Sequence, residues 1–574
     1  MKNLQLIIIL FFSIISYSQT NYYVSPTGNN SNSGTTIATA WQTIQKAANT
    51  AIPGSTVNIL AGTYNELVTI NVSGTNANPI TFKNYQNQNV VISGVGFSAN
   101  FSNLITINSK SNIVIDGLIL ENLTTPFARG ILVLSNPNSG IDNITLRNLK
   151  IRYIGFSTNA NLVPTANDNA HGIEIYGQGT SATDAIRNIT IENCEVYNNI
   201  NGFSENITIN GNVDGYSILN NLVHDNTNIG IDVAGNFGAS SNALLNHARN
   251  GVISGNTTFN NNSQVAISSG IYCDGCWNTV IERNQSYNNA VGITAGCEQN
   301  GTTENVIIRN NIVYNNTYTG IQIGGYNPAT TGIVINSNVN NNTLYFNDNN
   351  NLHGQIIIEK TNNCNLFQNI LHSNSSLLFY VDNIAPQSFT IDYNDYFTTA
   401  NDVNTANVNY QFNTISYTTY KTNTGFDVHS IYNNPLFVNS SSIDFNLQTT
   451  SPCINAGNPS FTPSTNELDY YSFPRISNSI VDIGASEYQF PLSNSENFVS
   501  DFKIFPNPAI NNFQILNADS EISFQIFDCI GNKILEKTIL ENQQIDISNF
   551  SNGIYFVKLF FDNKTVTKKL IIKK

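Results

Sequence analysis

Asn221-Leu-Val-His224, Asn256-Thr-Thr-Phe259, Asn284-Gln-Ser-Tyr287, Asn311-Ile-Val-Tyr314, Asn342-Thr-Leu-Tyr345 and Asn369-Ile-Leu-His372 are six copies of one phrase: an asparagine, two residues, then a ring. Cys194/Tyr197 is a first, degenerate copy, and successive Asn copies lie 35, 28, 27, 31 and 27 residues apart. Most copies are followed by a Gly-Ile segment: Gly230-Ile-Asp-Val, Gly270-Ile-Tyr-Cys, Gly292-Ile-Thr-Ala and Gly320-Ile-Gln-Ile. Two marks that return together at this period announce a solenoid whose coils stack in register. Apolar and polar residues alternate at period two, so the coils are built of strands. An asparagine at one place in every coil can bond the asparagines above and below it. The expected fold class is all-β: a right-handed parallel β-helix, followed by a small β-sandwich.

Outward from the repeat, residues 1–19 read as a secretory signal, with Lys2 ahead of a short apolar run from Leu6 to Ile15. Trp41, Ile44 and Ala47/Ala48 have helical spacing. They would cap the first coil, because a bare terminal coil exposes apolar surface and unpaired strand edges. Regular coils run from about Val57 to His372, and 373–450 is expected to form irregular coils with long loops. The domain reading is 20–488 for the β-helix with its cap, 489–499 for a linker and 500–574 for the C-terminal domain.

Charged residues are only 11% of the chain and the net charge is −14. So acidic a chain argues against a nucleic-acid partner and disfavours polyanions unless a cation bridges them. A monomer is expected. Seven cysteines leave at least one unpaired. Cys273 and Cys276 form a lone CxxC without the second pair that zinc would need. Cys273 is expected to face the core, and a Cys276–Cys297 bridge between coils stays open.

In a Gly-Ile-x-Ile strand the isoleucines face inward and x faces out. That position gives Glu174, Asp232, Tyr272, Thr294 and Gln322 in successive coils, with Tyr176 and Asp274 two residues further on and Glu298 just beyond its strand. Carboxylates, amides and tyrosines in one stripe suit a glycan, since they bond hydroxyls and offer flat faces to sugar rings. Asp232 and Asp274 differ by one coil and two residues, hence on the order of 8 Å, from a coil spacing of about 4.8 Å and a two-residue advance of about 6.7 Å. Inverting glycosidases use a separation of about 6.5–9.5 Å and retaining ones about 5 Å. Asp232, Asp274 and Glu298 are therefore the candidate catalytic group. Glu174, Tyr176, His171, Tyr272, Gln322, Tyr326 and Arg249 are candidate substrate contacts. Arg249 sits in an insertion, 236–250, that could wall the site. Each acid taken singly could equally serve only to keep the solenoid soluble.

Phe502-Lys-Ile-Phe-Pro-Asn-Pro508, Gly553-Ile-Tyr-Phe-Val and the basic end Thr567 to Lys574 together resemble the type IX secretion sorting domain of Bacteroidetes. That resemblance implies export to the cell exterior or surface, with the secretion machinery as a partner. Ser451-Pro-Cys-Ile-Asn-Ala-Gly457, Asp469, Arg475 and Asp482-Ile-Gly-Ala-Ser-Glu487 resemble the closing segment of exported carbohydrate-active β-helix proteins of the pectate-lyase-like superfamily. Asn201-Gly-Phe203 and Asn228-Ile-Gly-Ile-Asp232 resemble the calcium segment of family 9 pectate lyases, but only Asp232 keeps an acid. No lysine occurs between Lys150 and Lys360 to serve as the base of that family. Hydrolysis of a polysaccharide is therefore the leading expectation. A calcium-dependent lyase, with Asp232, Asp274 and Glu298 on the metal, is the first alternative, and a non-catalytic glycan-binding adhesin the second. A uronate epimerase would want basic residues that the stripe lacks.

Overall fold

The computed structural model describes residues 20–374, 377–400, 402–490, 502–516, 522–540, 543–561 and 564–574. The segment read as a secretory signal and most of the expected linker lie outside these residues. The chain divides into two compact units at Gln489/Phe490.

The first unit is a right-handed parallel β-helix of three long sheets whose strands stack coil upon coil. One sheet runs through Thr56–Ile59, Ile80–Asn84, Ile113–Asp116, Ile141–Arg147, Ile186–Glu192, Val213–Leu219, Ala248–Ser254 and Trp277–Glu282. A second carries the Gly-Ile strands: Ala128–Ser135, Ala170–Gly177, Ile207–Gly211, Ile231–Ala234, Ser269–Asp274, Val291–Gly296, Thr319–Ile323 and Ile356–Ile358. The third holds the Asn-x-x-ring strands, from Leu222–His224 to Ile370–Ser373. Inward Ile, Val and Leu from all three sheets form one continuous core along the axis.

The repeated asparagines form the expected ladder. Nδ2 of Asn256 donates to Oδ1 of Asn284 at 3.0 Å, Asn284 to Asn311 at 3.0 Å, and Asn311 to Asn342 at 2.9 Å. A second ladder, which the sequence reading missed, runs five residues later through Asn226, Asn261, Asn289, Asn316 and Asn347. The two ladders bracket each short strand and bond the backbone groups that its corners leave unpaired. Between them the rings stack: Tyr197 on His224, His224 on Phe259, Phe259 on Tyr287 and Tyr287 on Tyr314, at 4.7–5.2 Å.

Helix Ile44–Thr50 closes the N-terminal end, with Ile44, Ala47 and Ala48 buried and the Thr43 side chain capping Lys46 N–H. Coils with longer loops continue past His372 through Phe379–Val381, Asp395–Thr398 and Ile431–Tyr432. Asn394 extends the first ladder there, accepting from Asn369. Residues beyond them fold back over the outside of the third sheet. Phe445 packs on Tyr345, and Glu467 pairs with Arg309.

Cys273 lies in the core as expected, but it is bonded to Cys276, and Cys297 is free. The bridge left open between Cys276 and Cys297 is thereby excluded. The two partners in the CxxC lie 5.5 Å apart at Cα, within bridging range.

The second unit has a three-stranded sheet of Lys503–Phe505, Asn512–Leu516 and Ile545–Asp546, and a four-stranded antiparallel sheet of Ile522–Phe527, Lys533–Ile539, Gly553–Phe561 and Lys564–Ile572. Phe513, Phe524, Ile526, Val557, Leu559 and Leu570 form its core.

Candidate functional site

Strand register on the second sheet fixes the outward stripe. Glu174 stands opposite Thr208, Thr208 opposite Asp232, Asp232 opposite Tyr272, Tyr272 opposite Thr294, and Thr294 opposite Gln322. A second column two residues along holds Tyr176, Asn210, Ala234, Asp274 and Gly296. Asp274 is therefore one coil and two residues from Asp232. Glu298, two residues past Gly296, lies just beyond the end of its strand, where its backbone N–H reaches the Asp274 carboxylate. The three carboxylates form a diagonal across three coils. A Cβ at Gly296 would come within 3.0 Å of the Tyr272 hydroxyl, so the glycine leaves room for that ring.

The stripe faces out from the solenoid axis, yet it is not the open face that alternation alone suggests. Glu174, Asp232, Tyr272 and Asp274 are buried. Glu298 reaches solvent and lines a groove of about 610 Å³. The floor of the groove is Tyr272, Thr294 and Gln322; Val265, Ile267 and the exposed Tyr326 flank it. Glu359 closes the far end, where Gln322 Nε2 donates to it at 3.0 Å.

Burial and mutual repulsion dominate the electrostatics. Asp232 is pushed well above the usual carboxylate range by burial, then by Glu205, Asp274 and Glu298. Asp274 is pushed up by burial and by Glu298, against the Glu298 backbone N–H, which donates to Oδ1 at 2.7 Å and favours the anion. Oδ1 of Asp232 is buried without any hydrogen-bond partner. Glu205, a corner residue that the sequence reading missed because it lies outside the Gly-Ile pattern, is pushed up to about 8, first by burial. Glu359 rises to about 7 for the same reason.

At the other end of the diagonal, Glu174 pairs with Arg129. His171 Nδ1 lies 3.0 Å from Thr208 Oγ1 and 3.1 Å from the Glu205 carbonyl. Burial lowers the pKa of His171, so the ring is neutral near pH 7. Tyr176 is half-buried beside this cluster.

Arg249 does not join the site. It lies on the neighbouring sheet, where its guanidinium bonds Asp214 and Asn212. Its strand, Ala248–Ser254, begins only after the chain has turned the corner. The insertion before it folds back on the corner at Gly179 and Thr180 through Ser240 and Asn242. The groove wall comes instead from residues 265–267.

The three carboxylates expected as a calcium site do not converge. Among the described residues no three His, Cys, Asp or Glu side chains gather as metal ligands. A step of one coil and two residues is too long for one ion, whose ligand distances are about 2.3–2.6 Å. Oxygen donors of another kind are present on the calcium-like segment, where Oδ1 of Asn201, Asn228 and Asp232 are all buried without a hydrogen-bond partner.

Residues 503–573 match the family described as a secretion system C-terminal sorting domain. The chain therefore carries the address of type IX secretion and is delivered outside the cell or to its surface. Over 443 residues it is 35% identical to the uncharacterized protein YwoF of Bacillus subtilis (strain 168), covering 75% of this chain and 91% of that one. Among solved structures it is similar to pectate lyase Pel9A, at 18% identity and a TM-score of 0.44, over 82% of this chain and 97% of that one. It is also similar to the GH136 lacto-N-biosidase from Eubacterium ramulus, at 13% identity and a TM-score of 0.46, over 68% of each chain. Likeness at this level says nothing about chemistry.

Proposed function

This chain belongs to the same family as YwoF of Bacillus subtilis, and within that family we propose that it is an exported glycoside hydrolase acting on a polysaccharide laid along the acidic groove. One observation carries the reading: Asp232 and Asp274 stand one coil and two residues apart, both buried and driven toward the protonated form, with Glu298 of the next coil beside Asp274. A step of about 4.8 Å across coils and about 6.7 Å along the strand gives roughly 8 Å, a separation that leaves room for a water and suits inversion.

Roles follow from hydrogen bonding. Asp232, whose anion has no donor on Oδ1, keeps its proton and acts as general acid toward the glycosidic oxygen. Asp274, whose anion accepts the Glu298 N–H, is the base that takes a proton from water as that water attacks the anomeric carbon from the opposite face. The departing sugar gains the Asp232 proton, and the new hemiacetal has inverted configuration. Tyr272, the register partner of Asp232, is part of the groove floor, and Tyr326 and Gln322 offer a ring face and an amide to the glycan.

A second reading, a calcium-dependent lyase, is favoured by the unpartnered oxygens of Asn201, Asn228 and Asp232. These could hold calcium, which would neutralise an acidic sugar. Among the described residues no lysine lines the groove; Lys360, next to Glu359, donates to the Thr331 carbonyl, and Arg283 is engaged with Ser254 and Glu282.

The test is incubation of the purified protein with neutral and uronic polysaccharides, with and without chelator. New reducing ends of inverted configuration, lost in Asp274→Asn and unaffected by chelator, are expected. Unsaturated, ultraviolet-absorbing products that vanish with chelator would overturn the hydrolase in favour of the lyase. Retention of glycan with no product would leave a binding protein.

A further inference from the structure

At the corner between the third and second sheets, each coil has one residue in the left-handed region. Asparagine or aspartate fills it in most coils: Asn122, Asn198, Asp225, Asn260, Asn288 and Asn315. These are the residues that adopt such a conformation with least strain. Two coils depart from the rule, one with Phe346 there at φ 54° and one with Tyr153 at φ 56°.

Other aromatic residues with positive φ have a packing reason. Phe101 and Phe127 stack on each other, Phe346 on Tyr345 and Tyr393 on His429, and Phe412 lies edge-on to Tyr380. Among the described residues Tyr153 has no ring partner. Its neighbour is the Arg152 guanidinium, 5.6 Å from the ring centre, and the side chain stays 47% exposed. A strained, exposed aromatic that contributes nothing to the core calls for a function.

The ring borders a cavity of about 490 Å³, well away in sequence from the acidic groove. Asn122, Thr124, Ser157, Thr158 and Asn198 surround it, all neutral amides and hydroxyls, with Ile154 and Ile200 beneath. Among the described residues no carboxylate lines it, in contrast to the groove with Glu298 and Glu359. A flat ring face bounded by uncharged donors and acceptors matches a neutral pyranose. The sugar's C–H face lies on the electron-rich ring, and its hydroxyls reach the amides around it.

We propose that Tyr153 is the platform of a second, non-catalytic binding site for a neutral glycan, with Asn122 and Asn198 as its flanking hydrogen-bonding groups. The site would hold a long polymer on the solenoid independently of the acidic groove, and it stands whether or not that groove hydrolyses anything. A shared wall places the two near each other: Gln264, adjacent to groove residue Val265, donates to the carbonyl of Ala160 in the loop that follows Ser157 and Thr158.

The test is native affinity electrophoresis of the full protein in gels containing xylan, glucomannan, galactomannan or laminarin. Wild type should be retarded by at least one of them. Tyr153→Ala should weaken that retardation roughly tenfold or more, about one decade of Kd. Tyr153→Asn restores the usual corner residue, so it folds at least as well as wild type and should lose retardation equally; it guards against misfolding of the alanine variant. Tyr326→Ala, in the acidic groove, should leave retardation through Tyr153 in place. The proposal is overturned if no neutral glycan retards the wild type, or if Tyr153→Asn is retarded as strongly as wild type. Loss of retardation in Tyr326→Ala alone would assign all glycan binding to the acidic groove and equally overturn it.

Discussion

The backbone N–H of Glu298 donates to the Asp274 carboxylate at 2.7 Å, tying the last acid of the diagonal to the one before it. The bond stabilises the ionised form of Asp274 inside a cluster that otherwise favours protons. Asp232 has the Val233 backbone N–H set against burial and three acidic neighbours, and buried acids whose environments differ in this way can divide the work of acid and base.

Asp232→Asn should abolish turnover and stabilise the fold. The substitution removes a buried acid that its neighbours repel, while keeping its shape. A fall in activity of at least about a thousandfold is expected from loss of the general acid, with a rise in Tm of about 1–3 °C. Activity assays and thermal melts of the same preparation read both. A drop in Tm would mean that the carboxyl is held by something that the cluster does not show.

Stability should fall as pH rises from 6.5 to 8. In that window Glu205, raised to about 8, and Glu359, raised to about 7, bind more protons folded than unfolded. Asp395 and Asp427, raised by burial to about 8 and about 7, add to the slope. Their favourable contribution is complete below the unfolded carboxylate range and is lost as pH climbs through the folded values. The buried histidines His171, His247 and His372, lowered by burial, oppose this only below about 6.5. Melts at pH 6.5, 7.25 and 8 decide the sign; a Tm that climbs across this range would contradict the buried-acid assignment.

Asn284→Ala should cost far more than Asn278→Ala. Asn284 receives bonds from Asn256, and its amide donates to Ile253 O and Asn311, all buried. Each orphaned partner costs about 1–3 kcal/mol. Asn278 bonds only other exposed amides, so its loss should cost little beyond the strain of an alanine at φ 49°, about 1 kcal/mol. Urea titration of both variants provides the comparison, and equal effects would show that the ladder is dispensable.

Arg129→Met should destabilise the N-terminal part of the site without touching the groove. Its partner Glu174 is buried, and an unpaired buried carboxylate costs about 3–5 kcal/mol unless it takes up a proton. The loss should therefore be largest at high pH and shrink on acidification. A pH-independent loss would point to packing of the arginine stem instead.

The solenoid, its N-terminal cap and the sorting domain were legible in the chain because each is a local pattern. The Asn-x-x-ring phrase states the coil period, and the Gly-Ile phrase states which side chains face out. Register then follows, because parallel strands of one period stack without slippage; hence the Asp232–Asp274–Glu298 diagonal could be drawn from spacing alone. The second asparagine ladder was present in the same repeats, five residues on, and was simply not read. Tertiary structure decided what lies in the corners. Corner loops differ in length from coil to coil, so no period predicts where they fold. They bring Glu205 to Thr208 on the stripe and make the wall at Val265 to Ile267, while Arg249 lies in a strand of another sheet. The outward direction of a side chain is a property of its strand, whereas its exposure and its pKa belong to whatever folds over it.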